Sequence, residues 1–242
     1  MQVDEYNIDD LPLYKNLSPK AREVLHSSAK TYRLRTGSIL FRQGEITNTF
    51  YSVLSGGVRL VENIEGGKQV NLKVYGPGDV FGLLSLAGEF PHRADVIAVG
   101  HTEVLAFSTL QTRQLSQQYP EIAWKIIDLL VLHVDHAHTR IRTLAAEKVE
   151  RRLARSLLHF CQKFGSPETN GTLQVANFTQ QDLAEFTGTT IETVNRHLRK
   201  WEQLDIITRR RMQITVVDPV QLRNLANGSS DNDRGYSTDA VP

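Results

Sequence analysis

Sulfur is scarce in this chain: its 242 residues hold one cysteine, Cys161, and two methionines. One thiol excludes an internal disulfide, and it excludes a zinc or iron–sulfur site built from four cysteines of one chain. Cys161 is expected to be a buried structural thiol. Long apolar runs are also missing, since no stretch approaches the roughly 20 residues that cross a bilayer. The opening segment MQVDEYNIDDLP has neither the basic nor the apolar part of a secretory signal. These features lead to the expectation of a cytoplasmic protein with no membrane partner. Net charge is nearly absent, 28 basic against 27 acidic residues, so the chain as a whole is not a nucleic-acid-coating polycation. Catalytic signatures are lacking too. GPGDVFG, residues 76–82, is not a dinucleotide fingerprint, and neither a P-loop nor a nucleophile motif occurs. The chain is not read as an enzyme.

What the chain does have is ample apolar content, 40% of its residues, and a clear change of pattern along its length. From about residue 31 to 108, short apolar runs alternate with glycines (GSILFRQGE, TFYSVLSGGVRLVE, GGKQVNLKVYGPGDVFG, RADVIAVGHTEVLAFS). Turn signals at that spacing argue for an all-β barrel or sandwich, with Gly66-Gly67 in a hairpin turn. After Tyr119-Pro120, apolar residues fall at Ala123, Ile127, Leu130, Val134, Ala137, Ile141 and Leu144, spaced alternately by four and three. Such a narrow stripe is the seam of a two-stranded coiled coil, so this helix is expected to carry a homodimer interface. EKVERRLARSLLHFCQKFG continues as an amphipathic helix that stops at Gly165, and residues 166 to 177 read as a polar connector. The expected organisation is residues 1–118 as a β domain, 119–146 as the dimerisation helix, 147–226 as a DNA-binding domain and 227–242 as a disordered tail.

Positive charge is local rather than global. Between residues 190 and 215 stand Arg196, Arg199, Lys200, Arg209, Arg210 and Arg211 against Glu192, Glu202 and Asp205, a footprint suited to phosphate. Thr179 with Asp182, and Thr189 with Glu192, have capping-box spacing, and Gly188 falls in the turn between two short helices. This is a helix-turn-helix pattern. Leu183, Phe186, Val194, Leu198 and Trp201 would close its core and leave Glu192, Asn195, Arg196 and Arg199 outward. Arginine can donate twice to guanine, glutamate can accept from cytosine N4, and asparagine can bond adenine or a phosphate. DIITRRRMQITVVD reads as two strands around a basic turn, a wing that lays Arg209, Arg210 and Arg211 on the DNA backbone. Thr179, Gln180, Thr190 and Thr193, at the helix starts, complete the set expected to face double-stranded DNA.

With its glycine-punctuated β segment, long helix, FTQQDLAEFTGTTIETVNRHLRKWEQLDII and wing in that order, the chain resembles the CRP/FNR superfamily of bacterial transcription regulators over roughly residues 10 to 225. The resemblance implies an α+β fold: an N-terminal cyclic-nucleotide-binding-like β-roll, a long dimerisation helix and a C-terminal winged helix-turn-helix. It implies base contacts from Glu192 and Arg196, with Asn195 at a third specificity position, and RNA polymerase as a partner. Ile191 stands where the cAMP-responsive branch has a further arginine, which leans toward FNR-type half-sites around the TGA core that both branches share. In cAMP-binding members the phosphate segment runs Phe-Gly-Glu-Leu, with an arginine and a hydroxyl residue some ten positions on. Here FGLLSLAGEFPHRAD keeps Gly82 and Arg93 but has Leu83 for the ribose-binding glutamate and Ala94 for the hydroxyl, so a cyclic nucleotide is not expected.

FGLLSL is similar instead to the matching segment of the cyanobacterial nitrogen regulator, a member that senses 2-oxoglutarate. The backbone N–H groups of Gly82, Leu83, Leu84 and Ser85, with Arg93, would bind the carboxylate of a small anionic metabolite. His133 and His138 stand where that family's dimer helix meets its effector. Two alternatives remain open at this stage. Arg93 pairs with Glu89 or Asp95 and the β-roll binds nothing, giving a constitutive regulator, or the His133, His136 and His138 group takes a metal or haem. A cyclic-nucleotide-type module serving an enzyme is a further class, and one cysteine rules out an FNR-type cluster.

Overall fold

The computed structural model describes residues 11–64, 69–164, 166–167, 172–176, 179–210 and 213–228, and the chain divides into two compact units, Met1–Arg142 and Thr143–Pro242. The expected Gly66-Gly67 turn, Arg211 and the tail from residue 229 lie outside the described residues.

The first unit opens with α1 (Pro19–Ser27), whose cap Ser18 accepts a hydrogen bond from the Ala21 amide and whose first residue, proline, has no N–H to satisfy. Strands β1 (Lys30–Leu34), β2 (Ile39–Phe41), β3 (Thr49–Asn63), β4 (Gln69–Tyr75), β5 (Val80–Phe81) and β6 (Asp95–Ser108) follow. They form one antiparallel sheet in the order β1-β6-β3-β4, with β2 on β6 and β5 on β3. Strand periodicity sorts the side chains into two cores. Phe50, Leu105 and Phe107 point to one cluster, and Tyr51, Val53, Val104 and Ala106 to the other. The long β3–β6 pairing is bulged around Ser55. A Cβ at Gly56, whose φ is +69°, would stand 2.2 Å from the His101 carbonyl oxygen, so only glycine fits that crossing.

Helices α2 (Thr109–Gln118) and α3 (Pro120–Ala146) follow the sheet. Helix α3 buries Ile122, Ile126 and Leu129 in the cluster of Phe50 and Leu105, together with Leu11, Leu13 and Tyr14. The expected seam is a different stripe of the same helix. Ile127, Leu130, Val134, Ala137, Ile141 and Leu144 are all exposed in the isolated chain, and Trp124, Val131 and Leu132 widen that apolar surface.

The second unit is built on α4 (Val149–Phe164), which buries Leu153, Ala154, Leu157, Phe160 and Cys161. Cys161 is the structural thiol expected, and burial pushes it up to about 12. The segment expected as a polar connector contains two strands, β7 (Ser166–Pro167) and β8 (Leu173–Ala176). Helices α5 (Gln180–Thr187) and α6 (Ile191–Gln203) precede β9 (Ile207–Arg210) and β10 (Gln213–Val216), and β8 pairs with β10 to give a four-stranded sheet, β7-β8-β10-β9. The wing is thus the outer part of a larger sheet rather than a lone hairpin. A final helix, α7 (Pro219–Asn227), ends one residue beyond the expected boundary at 226. Asp218 caps it by accepting from the Val220 and Gln221 amides, Leu222 and Ala226 are buried one turn apart, and Gly228 closes it at φ +85°.

Candidate nucleic-acid interface and effector segment

The helix-turn-helix is fixed at both helix starts. Thr179 and Asp182 form a reciprocal capping box: the Thr179 N–H and hydroxyl donate to Asp182 Oδ2 at 2.8 and 2.7 Å, and the Asp182 N–H donates to Thr179 Oγ1 at 3.1 Å. Gly188 ends α5 in the left-handed conformation, φ +63°, and a Cβ there would lie 3.2 Å from Leu144 Cδ2. The cap of α6 differs from expectation. It is Thr190, which accepts from the Thr193 amide at 3.2 Å, and not Thr189. Three residues on from this cap stands Thr193 rather than Glu192, so Glu192 takes no part in capping and is exposed. The Thr190 hydroxyl also donates to Thr193 Oγ1 at 3.1 Å. Thr179, Thr190 and Thr193 therefore have structural partners, while Gln180 begins α5 half-exposed.

Helix α6 buries Val194, Leu198 and Trp201 against Leu183 and its neighbours. Phe186, the fifth expected core residue, is half-buried with its ring 4.9 Å from Phe160. On the other face, Glu192, Asn195, Arg196, Arg199, Lys200 and Gln203 line one open depression. Glu192, Arg196 and Arg199 are exposed there, and none of them has a hydrogen bond or ion pair among the described residues. Lys200 is held by Glu150 at 3.0 Å.

The wing arginines differ in their surroundings. Arg209, expected as a phosphate contact, is engaged inside the unit: Nε and Nη2 lie 3.0 and 2.5 Å from Glu202 Oε2, and Nη1 lies 3.5 Å from Asn195 Oδ1. The short turn between α6 and β9 brings Glu202 beneath the strand, and the hydrogen bond from Arg209 holds that carboxyl below the usual range. Arg210 is exposed, and among the described wing arginines it differs in this from Arg209.

The effector segment sits on β5 and the turn after it. Gly82, φ +78°, leads into a 3-10 turn, Leu83–Leu86. The expected cradle of four free N–H groups is reduced, because the Ser85 amide donates to the Gly82 carbonyl at 3.1 Å. The Ser85 hydroxyl is used as well, toward the carbonyls of Gly82 and Thr49. Leu83 is 4% exposed and packs with Phe50, Leu105 and Ile122, Ala94 is equally buried, and Leu84 is exposed. Arg93 is exposed and makes no ion pair among the described residues. The alternative partner Asp95 accepts from the Gln43 amide and Asn63 Nδ2 instead. Sequence reasoning missed His92, which anchors this loop: its ring stacks on Phe41 at 3.8 Å, Nε2 is 2.7 Å from Thr47 Oγ1, and its backbone pairs with Glu45 and Gly44.

The three helix histidines do not converge. His133 is half-buried, 6.0 Å from the Tyr75 ring, and burial, with Lys73 nearby, lowers its pKa to about 4. His136 and His138 are exposed. Among the described residues no His, Cys, Asp and Glu cluster is placed to hold a metal ion, and no helix is long and apolar enough to cross a membrane.

A β-sheet unit with a glycine-led turn at residues 82–86, followed by a winged helix-turn-helix with an exposed charged helix face, defines a DNA-binding regulator with an effector-binding domain. Residues 32–119 match the cyclic nucleotide-binding domain family, and residues 151–225 match the Crp-like helix-turn-helix domain. The chain is 28% identical to the cyclic AMP receptor protein of Thermus thermophilus, covering 90% of this chain and 97% of that one. It is 27% identical to the global nitrogen regulator of a Synechocystis species, over 91% and 98%. The structure of FixK2 from Bradyrhizobium japonicum shares the fold, with a TM-score of 0.70 at 23% identity over 81% of this chain and 96% of that one. The chain belongs to the CRP/FNR superfamily of transcription regulators, and its relatives are regulators rather than enzymes.

Proposed function

We propose that the chain acts in the cytoplasm as a homodimer that reads an inverted-repeat operator under the control of a small anionic metabolite, and that it works with RNA polymerase. The observation that carries the reading is the split of α6 into a sealed face, Val194, Leu198 and Trp201, and an unpartnered polar face, Glu192, Arg196 and Arg199. A charged face that makes no hydrogen bond or ion pair among the described residues, on a helix held this firmly, is suited to base edges, Arg196 to guanine and Glu192 to cytosine N4. Arg199 and Arg210, both exposed, would contact phosphate. The exposed stripe of α3 supports the dimer, since Ile127, Leu130, Val134 and Ile141 in one line are more than scattered surface residues. A two-fold pair of reading helices would enter major grooves about 34 Å apart.

Leu83 and Ala94, both in the core, argue against a cyclic nucleotide, whose ribose and phosphate would find no acceptor and no hydroxyl there. The unpaired Arg93 supports a carboxylate or dicarboxylate such as 2-oxoglutarate. A constitutive regulator is the second reading, favoured by the internal use of the Ser85 donors. Operator affinity measured with and without added metabolites separates the two. The central reading is tested by Arg196→Ala, which should lose about 1 to 3 kcal/mol on the best operator and relax one base pair in each half-site. Equal losses on operator and scrambled DNA would refute base reading by α6.

A further inference from the structure

We propose that Arg209 sets what Asn195 can read: it fixes the Asn195 amide so that only N–H donors face the DNA, which selects an acceptor edge, thymine O4 or guanine O6/N7, and disfavours adenine. The proposal rests on α6 being the reading helix. Asn195 lies on the polar face between Glu192 and Arg199, half-exposed, and lines the same depression as Arg196. A side-chain amide can turn either end outward, and the end it shows decides its partner. A guanidinium has five donors and no acceptor, so the end of Asn195 that faces Arg209 must be the oxygen, as the 3.5 Å contact from Nη1 to Oδ1 has it.

Arg209 is not free to swing away. Two of its nitrogens are held on Glu202 Oε2, and its side chain is 19% exposed. Turning the amide over would set its NH2 against the guanidinium, donor against donor. Asn195 Nδ2 therefore points away from Arg209, and it has no partner among the described residues. Adenine is read by asparagine through two bonds, one accepted from N6 and one donated to N7. With Oδ1 turned onto Arg209 the carbonyl is no longer aimed at N6 alongside Nδ2, so the paired contact with adenine is weakened, while thymine O4 and the two guanine acceptors need donors alone. Arg209 is thus a positioning residue that shapes specificity without touching a base.

The test selects operators from a randomised inverted-repeat library with wild type, Asn195→Ala, Arg209→Lys, Arg209→Met and, as a control on the reading helix, Arg196→Ala. Asn195→Ala identifies the base pair that Asn195 reads. Wild type should prefer thymine or guanine there. Arg209→Lys keeps a cation for Glu202 but has no second arm for Asn195, so it and Arg209→Met should raise the adenine ratio at that position on the order of tenfold. Preference elsewhere and the salt dependence of binding should stay as in wild type. A merely structural role for Arg209 would lower the melting temperature and not redirect one base pair, and Arg209→Lys guards against a misfolded methionine variant. The proposal is overturned if wild type selects adenine at that position, if Asn195→Ala changes no position, or if both Arg209 variants keep the wild-type preference. It is also overturned if they weaken all sequences alike with a shallower salt slope, the sign of a phosphate contact. If Arg196→Ala also leaves every preference intact, the reading helix itself is misassigned; if Arg196→Ala relaxes its own base pair, only the Asn195 orientation fails.

Discussion

Replacing His133 with glutamine should remove an acid weakness from the first unit. The His133 ring sits half-buried near Tyr75, with Lys73 on β4 and His136 on its own helix opposing its protonation, while Asp79 and the Val80 backbone favour it. Burial is the largest effect, and the result is a fall from 6.5 to about 4. At about 1.4 kcal/mol per pKa unit such a shift would be worth roughly 3 kcal/mol, and solvent access to a half-buried ring reduces this to about 1 to 2 kcal/mol. The sign depends on which state binds the proton. Above about pH 6.5 both states are neutral and nothing is lost. Between about pH 6.5 and 4 the unfolded chain takes up a proton that the folded chain refuses, so stability falls with pH, and below about pH 4 the loss is complete. Urea unfolding of wild type and His133→Gln at about pH 7 and about pH 4.5 measures the effect. His92 and His197 are also lowered by burial, so both proteins will weaken in acid, and the quantity that counts is the difference between them. If His133→Gln loses as much stability as wild type over that range, the imidazole is not held neutral by its packing.

The dimer reading predicts that Ile127→Glu with Leu130→Glu gives monomers in sedimentation and weakens operator binding, because two like charges per chain cannot be buried across a two-fold seam; a double variant that stays dimeric at micromolar concentration refutes the seam. Arg93→Ala should abolish the enhancement of operator binding by an anionic effector while the protein remains dimeric. Calorimetry on wild type should show 2-oxoglutarate or a similar dianion binding better than cAMP, and tight cAMP binding would overturn the reading of Leu83 and Ala94.

The reading helix was legible in the sequence because its two periodicities are unambiguous. Val194, Leu198 and Trp201 repeat at helical spacing, and the charged residues fall between them. The β-rich half was legible as a class from its glycine spacing, although pairing order was not, since long-range pairing such as Thr49 with Ser108 leaves no local signal. Strand β8 was lost for its length: four residues among polar neighbours carry too little alternation to separate from a loop. Helix α7 was hidden by the polar composition of the residues after Asn227, although Asp218-Pro219 with Leu222 and Ala226 was a complete start signal. Thr189 and Thr190 offered two registers for one cap, and only the backbone chooses between them. Arg209 shows a deeper limit. Charge counting treats every arginine of a wing as available, yet whether a guanidinium faces solvent depends on a carboxylate seven residues earlier, across a turn whose geometry the sequence does not state.

How an effector could act is constrained by what can differ between two states of the protein. A useful change in operator affinity, 5- to 150-fold, needs about 1 to 3 kcal/mol of differential binding. The side chains of Leu83 and Ala94 are closed into packed core and offer a ligand no polar contact. Arg93 is exposed and makes no ion pair among the described residues; a hydrogen bond to a charged group is worth about 1.5 to 3 kcal/mol, so this guanidinium supplies the difference only where it meets the effector in one state and not in the other. The grip on the effector should therefore be electrostatic, and it must be reciprocal: whatever factor the effector adds to operator affinity, the operator adds to effector affinity. Calorimetric titration of the effector into the protein alone and into its operator complex should give the same factor that DNA titrations give with and without effector. An operator that leaves effector affinity unchanged, while the effector shifts operator affinity, would break the thermodynamic cycle and show that the metabolite acts on something other than this equilibrium.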